Sequence, residues 1–314
     1  MVQVDLITGF LGAGKTTFLR RYVRYLVAQG HNVCILENDF GAVNVDAMLV
    51  QDLLGPNCDL ETISGGCDCD THQRRMRTKL IAMAMRGFDR VVVEPSGIFD
   101  VDEFFDVLRD DPLDRWYHIG NVIAIVDAML PETLSPQAEY VLASETANAG
   151  RVLVSRTQLA GQQQTAAAVA HLTRALEGCK CSRHFAPEEI ITKDWARLTD
   201  ADLAAIAACG CRQASCEKLH FDEHEAFSSL CFLEQHLTLQ QLKAAADHLF
   251  ADAACGHVLR VKGFAPDPQG TTGWLELNAT AAGRTLEPIP QGQDVLIVIG
   301  EGLDRARIET QLHR

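Results

Sequence analysis

The sequence predicts an α/β protein, a doubly wound and mostly parallel sheet followed by a smaller α+β domain, on three observations. Short β-branched runs recur at Val2–Thr8, Val33–Glu37, Val91–Glu94, Val122–Asp127 and Val152–Ser155, and each reads as a buried parallel strand. Helical stretches separate them. Lys15–Gln29 places Phe18, Leu19, Tyr22, Val23 and Leu26 on one face and Arg20, Arg21 and Arg24 on the other, with Gly30 as the stop. Thr71–Arg86 spaces Met76, Leu80 and Met83 as a helix does, and Gln162–Glu177 is a third helix. Around 186–216 the composition turns Ala-rich, polar and Cys-containing, which predicts domains at 1–185 and 221–314 joined by a junction at 186–220. In the second domain Thr238 and Gln241 form a capping box for a helix ending near Phe250. Strands follow at His257–Phe264, Trp274–Ala279 and Val295–Gly300, with turns at 266–273 and 288–292 and a last helix from Asp304.

Composition narrows the function. With 314 residues, 47% hydrophobic and 22% charged, the chain has the makeup of an ordinary globular protein. A net charge of −14 argues against nonspecific binding to nucleic acid or an anionic membrane, both of which need a positive surface. No apolar run approaches the ~18 residues of a membrane span. The first strand begins at Val2, leaving no room for a secretory signal, so a cytoplasmic protein with reduced thiols is expected. Of eleven cysteines, three pairs stand at i,i+2: Cys67/Cys69, Cys179/Cys181 and Cys209/Cys211. Chance supplies about 0.4 such pairs, and in a reducing compartment they favour metal ligation.

Residues Gly9–Thr17 read Gly-Phe-Leu-Gly-Ala-Gly-Lys-Thr-Thr, a G-x-x-x-x-G-K-[ST] pattern between the first strand and the first helix. That is the context of a phosphate-binding loop, which makes the first domain a P-loop NTPase. Gly9, Gly12 and Gly14 let backbone N–H groups, those of Ala13 and Thr17 included, converge on one anion. Lys15 can reach the β- and γ-phosphates, and the Thr16 hydroxyl is placed to ligate Mg²⁺. The strand ending at Glu94 leads into Pro95-Ser96-Gly97. A carboxylate there can hold Mg²⁺ through water or orient an attacking water, and Gly97 can offer its N–H to the γ-phosphate. Glu37-Asn38-Asp39-Phe40-Gly41 is either a first nucleotide-sensing switch or an ordinary polar loop. In Gly65-Gly66-Cys67-Asp68-Cys69-Asp70, two thiolates two residues apart can face one ion, with Asp70 as a harder third ligand.

The segments 9–17, 37–41, 65–69 and 94–97, with Val126-Asp127-Ala128, resemble the CobW-like family of P-loop metallochaperone GTPases. Arg260-Val261-Lys262-Gly263 and Val298-Ile299-Gly300…Leu303-Asp304 resemble that family's C-terminal domain. The resemblance implies binding and hydrolysis of GTP with Mg²⁺, coupled to handling Zn²⁺ or Co²⁺. It implies Cys67 and Cys69 as metal thiolates, Glu37 and Asp39 within the nucleotide switch, and Glu37 close to the metal. It implies as partner a client metalloenzyme or cofactor-assembly protein, with a homodimer as one possible assembly.

Two departures stand out. Asp70 replaces the family's third cysteine, which makes the site less soft. Where the guanine-reading Asn-Lys-x-Asp should follow the strand at 152–154, this chain has Ser155-Arg156-Thr157-Gln158. Ser155, Arg156 and Gln158 are then the candidate base contacts. Gln158 offers one carbonyl oxygen where a carboxylate offers two charged ones, so ATP competes with the GTP that the resemblance implies. A nucleotide-stabilised metal or corrinoid carrier without hydrolysis is a third reading. Cys179 and Cys181 with His184, and Cys209, Cys211 and Cys216, are either an accessory zinc site or small buried thiols. His220 and His224 are candidate ligands or surface groups. Arg74, Arg75, Arg77 and Lys79 form a solvated face or a contact for an acidic client.

Overall fold

A computed structural model describes residues 1–10, 12–39, 49–64, 69–95, 101–217, 228–270, 273–281, 283–289 and 292–312. The side chains of 38, 39, 64, 69–72, 102 and 103 fall outside that description. The described residues divide into two compact units, one through residue 217 and one from 228.

In the first unit the described residues form a seven-stranded parallel sheet. Its strands are β1 (Val2–Thr8), β2 (Val33–Asp39), β3 (Cys58–Ser64), β4 (Arg90–Glu94), β5 (Tyr117–Asp127), β6 (Arg151–Ser155) and β7 (Ile190–Ile191), in the order β3-β2-β4-β1-β5-β6-β7. The helices are α1 (Lys15–Ala28), α2 (Cys69–Ala84), α3 (Val101–Arg109), α4 (Leu113–Trp116), α5 (Pro136–Ala147), α6 (Thr157–Gly178, broken at Gly161) and α7 (Asp200–Ile206). The apolar face of α1, with Phe18, Leu19, Tyr22, Val23 and Leu26, packs on Ile7, Ile35, Val92, Ile123, Ile125 and Leu153 of the sheet. This doubly wound arrangement puts the carboxyl ends of β1, β2, β3 and β4 along one edge, where such sheets bind ligands. A buried carboxylate, Asp5 of β1, ties the core together. It accepts from the Tyr22 hydroxyl and Arg90 Nη1, each at 2.8 Å, and from Asn121 Nδ2 at 2.9 Å.

The segment 186–217, expected as a junction, is part of this unit. β7 pairs with β6, and Leu198, Leu203 and Ile206 enter the same core as α1. Thr199 and Asp202 form a capping box that starts α7. Those few apolar residues stand among alanines and charges, so composition alone does not reveal the packing. β3 also differs from expectation, because Asp59 and Glu61 interrupt its apolar pattern. Both pair with side chains of α2 or just beyond its end: Glu61 with Lys79 and Arg86, each at 2.6 Å, and Asp59 with Arg86.

In the second unit the described residues form a five-stranded antiparallel sheet of order β11-β10-β9-β12-β8. Its elements are β8 (Ser228–Leu233), α8 (Leu239–Ala251), β9 (His257–Pro266), β10 (Trp274–Thr280), β11 (Gly283–Ile289), β12 (Val295–Glu301) and α9 (Arg305–Leu312). Leu242, Ala245, Ala246 and Leu249 of α8 and Ile308 and Leu312 of α9 share a core with Val261, Leu277, Leu296 and Val298 of the sheet. This is the α+β unit expected, with β8 and β11 as strands that the hydrophobic pattern did not reveal.

Candidate nucleotide and metal site

The loop from Gly9 to Gly14 turns because glycine alone can occupy its ends. At Gly9 φ is +136°, and a Cβ there would lie 2.2 Å from the Ile125 carbonyl oxygen of β5. At Gly14 φ is +102°, and this residue is the N-cap of α1 without a side-chain cap. The first N–H groups of α1 therefore face the carboxyl edge of the sheet together with the helix's positive end. Lys15 is buried, and its Nζ donates to the Gly9 carbonyl at 2.9 Å. The Thr16 hydroxyl donates to Glu94 Oε1 at 2.8 Å, joining the start of α1 to the end of β4. A lysine inside the loop and a hydroxyl beside a carboxylate are the donor set that a Mg²⁺–nucleoside triphosphate requires.

Two further supports lie beyond the motif. Glu145 of α5, 1% exposed, accepts from the Gly9 N–H through Oε2 at 3.0 Å. Arg156, with φ +56°, pairs through Nη1 with Asp127 Oδ2 at the tip of β5 and donates through Nη2 to the Gly12 carbonyl at 3.0 Å. The expected base contact Arg156 is thus a strut from the end of β6 to the phosphate loop. Ser155 is buried, its hydroxyl 3.5 Å from the Val126 carbonyl, while Gln158 is exposed and lines a cavity of about 470 Å³. Trp195, just after β7, packs edge-on against Phe18 with ring centroids 5.5 Å apart. Its ring lies 3.6 Å from where a Cβ on Gly14 would be. Sequence reasoning missed Glu145 and Trp195. Glu145 is one of two carboxylates in α5 and stands between Ser144 and Thr146, so nothing local set it apart, and Trp195 stood in a stretch read as junction.

Glu37 is buried two residues before the end of β2, in register with Glu94 of β4 on one side and Thr62 of β3 on the other. Register partners on adjacent strands share a face of the sheet, so the two carboxylates stand side by side. Cys69 and Asp70 begin α2 directly after the loop that follows β3, at the same sheet edge as the phosphate loop. Their side chains lie outside the described residues, as do Cys67, Gly65, Gly66, Gly97, Phe40, Gly41, His220 and His224.

The remaining cysteines give no accessory metal centre: among the described residues no group of three or more His, Cys, Asp or Glu side chains could hold an ion. Cys181 and Cys216 are brought together as a close cysteine pair. Backbone bonds from Ser182 N to Ser215 O and from Glu217 N to Cys179 O, each 2.9 Å, bring the two together. Burial pushes the Cys34 thiol up to about 12, with Asp59 and Glu61 adding to the shift. Burial likewise pushes Cys209 up to about 12 and Cys58 to about 11. In the basic cluster of α2, Lys79 is engaged with Glu61 and Arg77 with Asp110 at 3.2 Å.

Fold and site together define a P-loop nucleotide-binding protein, with a glycine loop, a buried lysine and a hydroxyl–carboxylate pair at the carboxyl edge of a parallel sheet. The chain belongs to the CobW/HypB/UreG family, whose nucleotide-binding domain pattern matches residues 3–182. It is 31% identical over 173 residues to the zinc chaperone YjiA of Escherichia coli, 52% of either chain. It is 26% identical over 164 residues to the zinc-regulated GTPase metalloprotein activator 1 of Schizosaccharomyces pombe, 50% of this chain and 39% of that one. The matches thus span about half or less of these relatives. A solved structure of Zn(II)-bound YjiA GTPase from E. coli aligns over 99% of this chain and 98% of that one, at 22% identity and a TM-score of 0.38. No described helix is long and apolar enough to cross a membrane.

Proposed function

We propose that this protein binds GTP with Mg²⁺, hydrolyses it, and couples nucleotide state to the binding and delivery of a transition metal, zinc or cobalt, to a client metalloenzyme or cofactor-assembly protein. The observation that carries this reading is the order of the strand ends. The phosphate loop follows β1, Glu94 ends β4, Glu37 lies two residues before the end of β2, and the segment Cys67–Asp70 comes after β3 in the chain. Three steps between neighbouring strands, about 4.8 Å each, separate β3 from β1, so roughly 14 Å lies between the two strands. The ends of β2 and β4 fill that interval.

Bound GTP and Mg²⁺ supply the phosphoanhydride bond and the cation that neutralises its charge. The loop amides and Lys15 hold the phosphates, and the ammonium that now rests on the Gly9 carbonyl stabilises charge developing on the transferred group. Thr16 is the metal-facing hydroxyl. Glu94, which accepts its proton in a hydrogen bond, orients it and positions the attacking water. Glu37, beside Glu94 in the sheet, carries a change at the phosphate end toward the cysteine loop. Asp70 in place of a third thiolate favours zinc or cobalt over a softer ion. The proposed domains are the α/β unit for nucleotide and metal, and the separate α+β unit that follows it.

Phosphate release from GTP tests the reading. Turnover should depend on Mg²⁺, respond to zinc, and vanish in Lys15→Ala. Hydrolysis that persists in this variant would remove the P-loop from the chemistry. The Ser155–Gln158 segment favours an ATP-using enzyme as the second reading, which direct competition of ATP against GTP decides.

A further inference from the structure

Ser155–Gln158 carries no carboxylate, yet the fold brings one to the same place from another strand. Two contacts lead sideways from the phosphate loop. One is Arg156, whose Nη2 meets the Gly12 carbonyl at 3.0 Å, and the next residues are Thr157 and Gln158. The other is Trp195, packed beside Gly14, and the residue before it is Asp194. Gln158 and Asp194 both line the cavity of about 470 Å³, together with Gln162, Thr192 and Arg197. The cavity therefore lies next to the phosphate loop, at the carboxyl ends of β6 and β7, where open parallel sheets take their ligands. Its volume falls in the range of small-molecule sites. A break in α6 shapes one wall: Gly161 has φ +70° and ψ 177°, and Thr165 closes onto its carbonyl at 2.6 Å.

The lining is polar and open to solvent: Gln158, Gln162, Thr192 and Arg197 are exposed and Asp194 is half-buried. Asp194 Oδ1 accepts from the Ala196 N–H at 3.0 Å, which fixes the plane of the carboxylate. Among the described residues its other oxygen has no partner, and neither do the side chains of Gln158 and Arg197. Guanine presents two adjacent donors, N1–H and the N2 amino group, beside the O6 acceptor. A fixed carboxylate accepts both donors, and an amide or guanidinium serves O6. Adenine turns an acceptor, N1, toward the same carboxylate and is repelled.

We propose that this cavity is the nucleobase pocket and that Asp194, rather than a residue of the Ser155–Gln158 segment, is the carboxylate that selects guanine, with Gln158 as the donor to O6. The proposal rests on the nucleotide-binding reading above. Competition titrations on the full chain with Mg²⁺, using GDP, ADP and xanthosine diphosphate, test it. The wild type should prefer GDP over ADP by about tenfold or more, the usual effect of a charge-assisted contact. In Asp194→Asn, GDP should weaken about tenfold or more and xanthosine diphosphate should gain, because its C2 carbonyl needs the donor that asparagine brings. Asparagine caps the Trp195–Arg197 turn as well as aspartate does, so the fold is kept. Asp194→Ser also keeps a cap and should lose the preference for GDP without gaining the xanthine nucleotide. An unchanged order of nucleotides in either variant overturns the proposal, as does a wild type that binds GDP and ADP equally while the phosphate loop still works. A wild type that binds no nucleotide removes the underlying reading as well.

Discussion

Arg156→Met offers a quantitative test of how the phosphate loop is held. The guanidinium joins Asp127, at the end of β5, to the Gly12 carbonyl, and the two charged side chains are 21% and 15% exposed. Hydrogen bonds to charged groups contribute about 1.5–3 kcal/mol each when sheltered. Methionine keeps much of the packing and the same left-handed backbone strain, so neither changes the balance. Asp127 is not orphaned, because its Oδ1 still accepts from the Met129 N–H at 2.9 Å. A net loss of about 2–3 kcal/mol follows, and at about 2–4 °C per kcal/mol for a unit of this size the melting temperature should fall by roughly 4–12 °C. Circular dichroism on heating reads this directly. A double-mutant cycle with Asp127→Asn should show about 1 kcal/mol or more of coupling. A melting temperature within about 1 °C of wild type, or strictly additive losses, would refute the strut.

Other outcomes follow from the same geometry. Glu145→Ala should leave the Gly9 N–H buried without an acceptor and cost about 1–3 kcal/mol in thermal unfolding, whereas Glu145→Gln, which can still accept, should cost clearly less. Equal losses would contradict that role. Glu94→Gln keeps an acceptor for Thr16 but removes the charge, so phosphate release should fall by about a hundredfold or more while GDP binding persists. Wild-type rates in that variant would dismiss Glu94 as the catalytic carboxylate. Burial holds Cys34, Cys58 and Cys209 protonated far above neutral pH, so iodoacetamide at pH 8 should label none of them in the native protein and all of them in urea. Rapid native labelling of Cys34 by mass spectrometry would contradict the packing.

What could be read from the sequence was what a residue's own neighbours determine. β4, β5 and β6 are buried on both faces over Val91–Val93, Val122–Val126 and Val152–Val154 and so appear as apolar runs, and β1 stays legible through Leu6 and Ile7 although Gln3 and Asp5 interrupt it. The phosphate loop was legible because close approach to Ile125 leaves Gly9 no substitute. β3 was hidden because its charged residues are satisfied by Lys79 and Arg86, far along the chain. β11 was hidden because it is an edge strand with exposed Arg284 and Glu287. Lys15, Thr16 and Glu94 were nameable from the motif and a strand end. The partnership of Gly9 with Glu145 spans 136 positions, and that of Gly12 with Arg156 spans 144, so only the folded chain reveals them. Arg156 shows this most plainly: its position suggested contact with a base, and the fold adds that its side chain joins Asp127 to the Gly12 carbonyl.

Metal titration in two nucleotide states goes straight to the coupling on which the account depends. Zinc or cobalt affinity should be measured on the full chain with Mg²⁺ and either GDP or a non-hydrolysable GTP analogue. Coupled sites should differ by about five- to a hundredfold between the two states. Equal affinities would show that the cysteine loop after β3 does not sense the phosphate loop after β1.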